Sequence, residues 1–390
     1  MKTIAVIFGG KSAEHDVSIV TALAAIIKPL ELSGKYHVEA VYIGKNGDWF
    51  WDDKLKDIKL YQSGAIEDFC RNAPKVHLLF DTGLTLVKSS QFAGRKKYQK
   101  VDVVFPAMHG TFGEDGDLMG LLEMAGVAYV GCGVAASAVA MDKVLCKLVT
   151  GAAGIYSPPW LWFSAGDLAD HPDELVADCR EFTYPLFVKP ARLGSSIGIS
   201  KVDTEKELIN AFEVAAHYDD KVIVEQAVQN LVEVTLPIMG NEQPRPAMLE
   251  EPVLNTSGVF DFDTKYMQQG KGKMGGKSGG GKQGAQGYSK IPAEVSSNIH
   301  DKAVAMGLAV YRTLGCEGVA RVDMLIDSKA GKVFFNEVNP LPGSLYAHNW
   351  RAAGVSSVEL VTKLIDLAED RFVKKQKLNT SFNTNFLKQF

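Results

Sequence analysis

Residues 321–343, Arg-Val-Asp-Met-Leu-Ile-Asp-Ser-Lys-Ala-Gly-Lys-Val-Phe-Phe-Asn-Glu-Val-Asn-Pro-Leu-Pro-Gly, constrain the fold more than any other part of the chain. Two apolar runs, 319–326 and 332–338, flank Asp-Ser-Lys-Ala-Gly, which predicts a β-hairpin. Side chains alternate along a strand, so Arg321 shares a face with Asp323, and Glu337 shares one with Asn339. Closure around Ala330 sets Asp323 opposite Glu337 and Arg321 opposite Asn339, merging the two faces. Two carboxylates so close repel unless a cation bridges them or one stays protonated. Hard oxygen ligands beside an arginine suit Mg²⁺ holding nucleotide phosphates. The alternative at this point is a hairpin with its charges in solvent and an ordinary turn at its tip.

At 390 residues the chain is long enough for two or three cores. Its 42 basic and 46 acidic residues leave a net charge of -4 with no block of one sign, so neither nucleic acid nor an anionic membrane is an expected partner. Five scattered cysteines, Cys70, Cys132, Cys146, Cys179 and Cys316, form no C-x-x-C pair and fit free thiols in a reducing compartment. The opening apolar run, 3–8, is too short for a signal sequence, and no run approaches the roughly 20 residues of a membrane span. A cytoplasmic location is expected.

Residues 3–8, Gly9-Gly10 and an apolar-rich helix over 17–32 open an α/β domain, with a ligand expected at the strand's carboxyl end. Gly10-Lys11-Ser12 is not a P-loop, because the required earlier glycine is Ala5. Glu14 and His15 stand at the helix entrance, as site residues or as a plain surface pair. Strands are expected at 36–43, 101–105 and 128–130 and a helix at 118–124, while 45–100 is polar and irregular with weak strands. The loop after residue 105 carries His109, Glu114 and Asp115, a pocket wall or a solvated loop. One helix is predicted over 133–153, with Lys143 and Lys147 on one face, and another over 172–181. Lys189 emerges from a buried strand at 184–190 and needs an anion. The following Ala-Arg-Leu-Gly-Ser-Ser-Ile-Gly offers N–H groups and hydroxyls suited to phosphate, unless it is a simple turn. A strand at 222–225 ends at a hinge over 226–228, and a second strand carries Glu233. Nine glycines and four lysines within 268–287 predict a lid or linker. Helices follow at 295–314 and 357–369.

Six blocks then occur in one order: residues 9–18 (Gly-Gly-Lys-Ser-Ala-Glu-His-Asp-Val-Ser), 109–116 (His-Gly-Thr-Phe-Gly-Glu-Asp-Gly), 141–143 (Met-Asp-Lys), 188–190 (Val-Lys-Pro), 194–201 (Gly-Ser-Ser-Ile-Gly-Ile-Ser-Lys) and 336–339 (Asn-Glu-Val-Asn). In this the chain resembles the D-alanine:D-alanine ligases of the ATP-grasp superfamily over nearly its whole length. The resemblance implies a three-domain α/β (α+β) ATP-grasp fold. An N-terminal Rossmann-like domain, 1–131, would take the first substrate. Central and C-terminal subdomains, 132–225 and 226–390, would grip ATP between them, the latter carrying the lid, 267–287, and the metal site.

By the same resemblance Lys143, Lys189, Ser195, Ser196, Glu225, Gln226, Val228, Glu233 and Lys265 would bind ATP. Asp323, Glu337 and Asn339 would hold two Mg²⁺ ions, for which Mn²⁺ would substitute. Glu14, with Val17 and His109, would receive the first amino acid, with Ser195 and Tyr266 linking Glu14 to the lid. Arg321 and the Gly343 N–H would stabilise the oxyanion. The implied activity is ATP-dependent joining of two D-alanines through an acyl phosphate, for peptidoglycan and hence cell-wall synthesis, by a cytoplasmic homodimer acting on small molecules. The alternative is the same machinery with another second substrate: D-serine, a D-hydroxy acid or another amino acid. After Asn339 the family pattern Thr-x-Pro-Gly-x-Thr-x-x-Ser is replaced by Pro-Leu-Pro-Gly-Ser-Leu-Tyr-Ala-His. His348 therefore stands where a serine binds the second carboxylate, and it is expected to take over that role unless Ser344 does so through a shifted loop.

Overall fold

The structure, a computed structural model, describes residues 1–89, 96–252, 289–379 and 386–390. Its first sheet has five strands in the order Trp49–Trp51, Tyr36–Ile43, Lys2–Gly9, Val103–Pro106, Ala128–Tyr129, and only the first of these is antiparallel to its neighbour. Lys2–Gly9 lies at the centre, buried from Thr3 onward, as the continuous apolar run requires of a parallel strand covered on both faces. The next helical stretch runs through His15–Val20, a π-helical Thr21–Ile27 and Lys28–Ser33. It ends at Gly34 in the left-handed conformation, the usual helix stop.

The polar region 45–100 holds an antiparallel meander, Val76–Phe80, Leu84–Ser89 and Lys96–Val101. One of its strands is lysine-rich and mostly exposed, so no apolar alternation announces it. Lys88 and Lys97 nonetheless lie 5.0 and 4.4 Å from the centre of the buried Trp51 ring, and bind the meander to the first sheet through cation–π contact. The predicted 101–105 strand is Val103–Pro106, preceded by this separate meander strand.

Two antiparallel four-stranded sheets follow. The first is ordered Ser200–Val202, Leu186–Pro190, Lys221–Gln226, Trp160–Ser164, and the second Arg245–Pro246, Leu231–Met239, Val319–Asp327, Lys332–Asn339. The single helix expected over 133–153 is two, Val134–Met141 and Lys143–Ala152, broken at the extended Asp142. The Asp142 carboxylate caps the second helix by accepting from Val144 N and Leu145 N at 3.0 Å, and Lys221 anchors it at 2.6 Å. The helix Ser357–Gln376 returns to the first sheet: Leu360, Val361, Leu364 and Ile365 share a core with Ile4, Val6 and Phe8. Arg371, buried at its far end, donates to the carbonyls of Tyr129 and Gly131. The chain's end is thereby locked to its beginning, and the sheet Ser200–Val202 to Trp160–Ser164 keeps a core of its own.

Candidate active site

The hairpin has the expected pairing at the end that matters, with Asp323 opposite Glu337 and Arg321 opposite Asn339. A β-bulge produces it. Near the turn Met324 pairs with Phe335, a register that would set Asp323 against Asn336. One extra residue between the two pairings moves Glu337 onto the face of Asp323. Arg321 donates to both oxygens of Asp323, at 2.8 and 2.5 Å, and the Thr235 hydroxyl donates to Asp323 at 2.5 Å. Burial opposes the Arg321 charge, but Asp323 beside it holds the guanidinium's pKa well above its usual value.

Above the hairpin stand three lysines. Lys143 Nζ lies 3.4 Å from Glu337 and donates to the Leu193 carbonyl at 2.8 Å. Lys189 and Lys147 both pair with the buried Glu225, Lys147 at 2.6 Å. Glu225 is 4% exposed. Burial disfavours its charge, yet the two ammonium groups hold its pKa down to about 2. Lys189 is held above its ordinary value, Glu225 outweighing burial.

The first-sheet side closes the cleft with loops. Ser195 donates to the Glu14 carboxylate across 181 residues of sequence. That contact needs small neighbours. A Cβ on Gly110, which has φ +69°, would meet Ser12 Oγ at 2.6 Å and Glu14 Oε2 at 3.0 Å, and one on Gly194 would lie 3.3 Å from Glu14 Oε2. Glu14 thus faces the cleft, whereas His15 is buried scaffolding. Its Nδ1 donates to the Gly10 carbonyl at 2.7 Å and its Nε2 accepts from Tyr42 at 3.0 Å, with burial lowering its pKa. His109 lies 2.9 Å from Thr21 Oγ1 and 3.7 Å from Glu114. Burial works against its charge, but Glu114 prevails and raises its pKa.

All the expected site residues among those described line one cleft of about 640 Å³, from Glu14 and Val17 to Gly343, Ser344 and His348. Lys265, Tyr266 and the segment 267–287 lie outside the described residues. Residues 3–132 match the family described as D-ala D-ala ligase N-terminus, and 149–366 match D-ala D-ala ligase C-terminus. A D-alanine–D-alanine ligase of Chloroherpeton thalassium is 34% identical over 381 residues, covering 96% of this chain and 98% of the relative. The chain belongs to the D-alanine:D-alanine ligase family. Two solved structures share its fold with a TM-score of 0.76. The D-alanine-D-alanine ligase from Coxiella burnetii is 28% identical and covers 97% of this chain and 98% of its own. The VanG D-Ala:D-Ser ligase from Enterococcus faecalis is 32% identical, with 94% and 99% covered. These neighbours have the ATP-grasp fold.

Against this family background the corner after Asn339 stands out. Ser344, Leu345 and Tyr346 all have φ near +51°, a conformation that costs roughly 1–2 kcal/mol per residue without glycine. Three contacts offset it. The Ser344 N–H donates to Thr21 Oγ1 at 2.9 Å, Leu345 is fully buried in the first core, and the Tyr346 ring lies 4.9 Å from the Arg321 guanidinium. Burial pushes the Tyr346 hydroxyl up to about 12. The His348 ring sits 4.9 Å from Tyr346, and its Nε2 lies 2.9 and 3.1 Å from the two oxygens of Glu250.

Sequence reasoning missed Lys147 as a site partner, together with Thr21, Thr235, Glu250 and Tyr346. A lysine four residues after Lys143 was the only available signal, because the other four act through contacts made 88 to 323 residues away or from a left-handed turn. Among the described residues no group of three or more His, Cys, Asp or Glu is gathered for a metal. The Asp323–Glu337 pair with Asn339 fits a different case: Mg²⁺ held by one or two carboxylates and completed by substrate phosphates. No helix among the described residues is long and apolar enough to cross a membrane.

Proposed function

We propose that this chain is an ADP-forming ligase that joins two molecules of D-alanine, supplying a dipeptide for peptidoglycan. The observation that carries it is the single cleft in which Glu14 and Ser195, the Lys143, Lys189 and Glu225 group, and the Arg321, Asp323 and Glu337 hairpin face one another. Glu14 receives the ammonium of the first amino acid and Ser195 positions Glu14. Lys143 and Lys189 neutralise the phosphates, with Glu225 and Lys147 fixing Lys189, and Ser196, Gln226, Val228 and Glu233 surround the nucleotide. Asp323, Glu337 and Asn339 are the residues that would hold two Mg²⁺ or Mn²⁺ ions, which spread the charge of the transferring phosphoryl group.

The first carboxylate attacks the γ-phosphate and forms an acyl phosphate, and the amine of the second amino acid displaces phosphate. Arg321, kept cationic by Asp323, and the Gly343 N–H face the oxyanion of that second step. Arg321 is buried beneath the Tyr346 ring, so its charge acts where little water screens it. D-Serine is the first alternative acceptor. The corner around Ser344 and His348 departs from the family pattern, and a structural neighbour of equal TM-score is a D-Ala:D-Ser ligase. ADP release measured over D-alanine, L-alanine, D-serine and D-lactate pairs tests the reading. D-Alanine alone is expected to support turnover with dipeptide formation, and ADP release indifferent to amino acid would sink it. Assembly as a homodimer belongs to the same proposal, with a sedimentation mass near twice 42.4 kDa as its check.

A further inference from the structure

The pairing of Glu250 with His348 goes beyond the roles given so far and rests on the ligase reading. Glu250 is 4% exposed, and its main chain is fixed to Thr235 by two hydrogen bonds of 2.9 and 3.0 Å. Asn349 Nδ2 donates to its Oε2 at 3.0 Å and Ser289 adds a further hydrogen bond. Burial opposes its charge, but His348 and Asn349 hold its pKa below the usual carboxylate value. An ionised carboxylate only accepts, so the proton on His348 Nε2 stays there whether the ring is neutral or cationic. Nδ1 is the nitrogen not held by Glu250, and among the described residues it makes no hydrogen bond.

Charge decides which end of the second substrate this pair suits. With a neutral ring the pair carries one negative charge, and with a cationic ring it carries none; it is never positive. Such a pair attracts an ammonium and offers a carboxylate no net attraction. We infer that Glu250 and His348 form a dyad that receives the ammonium of the second amino acid, with His348 Nδ1 accepting one of its protons and Glu250 positioning the ring. The freed lone pair then forms the C–N bond to the acyl carbon while the C–O bond to phosphate breaks. The nitrogen loses its second proton to solvent, and the imidazolium, held beside Glu250, gives the first to the departing phosphate, which restores the neutral ring. The carboxylate of that amino acid falls to the exposed Ser344 at the edge of the left-handed turn rather than to His348. The charged and titratable groups around His348 are Glu250, Tyr346 and, across the Tyr346 ring, Arg321 with Asp323.

The test uses the full chain with ATP, Mg²⁺ and D-alanine, with and without hydroxylamine, a nucleophile already unprotonated at neutral pH. Hydroxylamine traps the acyl phosphate as a hydroxamate without a base. In His348→Ala and Glu250→Gln, hydroxamate formation should persist while kcat for the dipeptide falls about 100-fold or more. That deficit should shrink as pH rises and free amine accumulates. Glu250→Gln should act in the same direction as His348→Ala because it removes the negative charge that attracts the ammonium and steadies the imidazolium. An unchanged kcat with only a raised KM for the second amino acid would overturn the dyad and make His348 the carboxylate ligand. Loss of hydroxamate in both variants would also overturn it, leaving the pair as a mere brace of the cleft. No hydroxamate from the unsubstituted enzyme would remove the ligase reading itself, which keeps the two failures apart.

Discussion

The proposed nucleotide side of the cleft and its proposed second-substrate corner are built on opposite plans. On the nucleotide side, strands present Lys189, Glu225, Asp323 and Glu337 at fixed register, and each of these four has an opposite charge close in space. At the corner, a left-handed turn of three non-glycine residues presents Ser344, Tyr346 and His348, steadied by Thr21 and Glu250 from distant parts of the chain. Strands repeat every two residues, so chemistry placed on them recurs in a sequence as a pattern. A strained turn leaves no period, and its geometry is set by tertiary contacts alone.

Breaking the nucleotide side should therefore abolish formation of the acyl phosphate, and breaking the corner should impair only its capture by the second amino acid. The largest effect is expected for Asp323→Asn or Glu337→Gln. Turnover should fall roughly 1,000-fold or more, the scale of several kcal/mol of lost charge stabilisation, with the far-ultraviolet circular dichroism unchanged. Steady-state ADP release checks this, and a folded variant turning over normally would take the hairpin out of the chemistry. Next comes Glu225→Gln, which leaves Lys147 and Lys189 buried without their counter-charge. Breaking such a buried pair costs about 3–5 kcal/mol, visible as a lower Tm and a raised KM for ATP.

The Glu225 pKa, lowered from 4.5 to about 2, adds a pH signature. A depressed carboxylate contributes stability above its unfolded value, which is lost as pH falls through the folded one. Urea denaturation should show this loss between pH about 4.5 and about 2 in the unsubstituted chain, and the loss should be smaller in Glu225→Gln. Glu14→Gln should weaken the first amino acid by roughly 1.5–3 kcal/mol, the worth of a hydrogen bond to a charged group, while the KM for ATP hardly moves. The smallest effect is expected at Thr21→Val, which removes the oxygen shared by His109 and the Ser344 N–H. About 0.5–1.5 kcal/mol is at stake, read as a several-fold rise in the KM of the second amino acid with kcat for hydroxamate formation retained.

The same contrast explains what could be read from residues alone. The hairpin's alternation gave the Asp323–Glu337 pairing, although through a bulge at Asn336 that alternation does not encode. Lys189 on its buried strand declared the need for an anion, and Glu225 supplies it. Only weak strands could be read within 45–100, and their pairing into a meander escaped because the two outer strands are largely exposed and so lack apolar rhythm. The break at Asp142 escaped because helical periodicity runs straight across it: Lys143 and Lys147 remain four apart on either reading. Glu250 was silent for a simpler reason. It is one of two adjacent glutamates, Glu250 and Glu251, that nothing local tells apart, and it differs by facing His348 from 98 residues away.

The central claim is that one carboxylate is activated on the nucleotide side and captured by an amine at the corner. D-Alanine labelled with ¹⁸O in its carboxylate, incubated with ATP and the full chain, tests it most directly. Passage through an acyl phosphate predicts one ¹⁸O in each phosphate released, alongside one ADP and one D-alanyl-D-alanine. Released phosphate free of ¹⁸O, with dipeptide still formed, would contradict it.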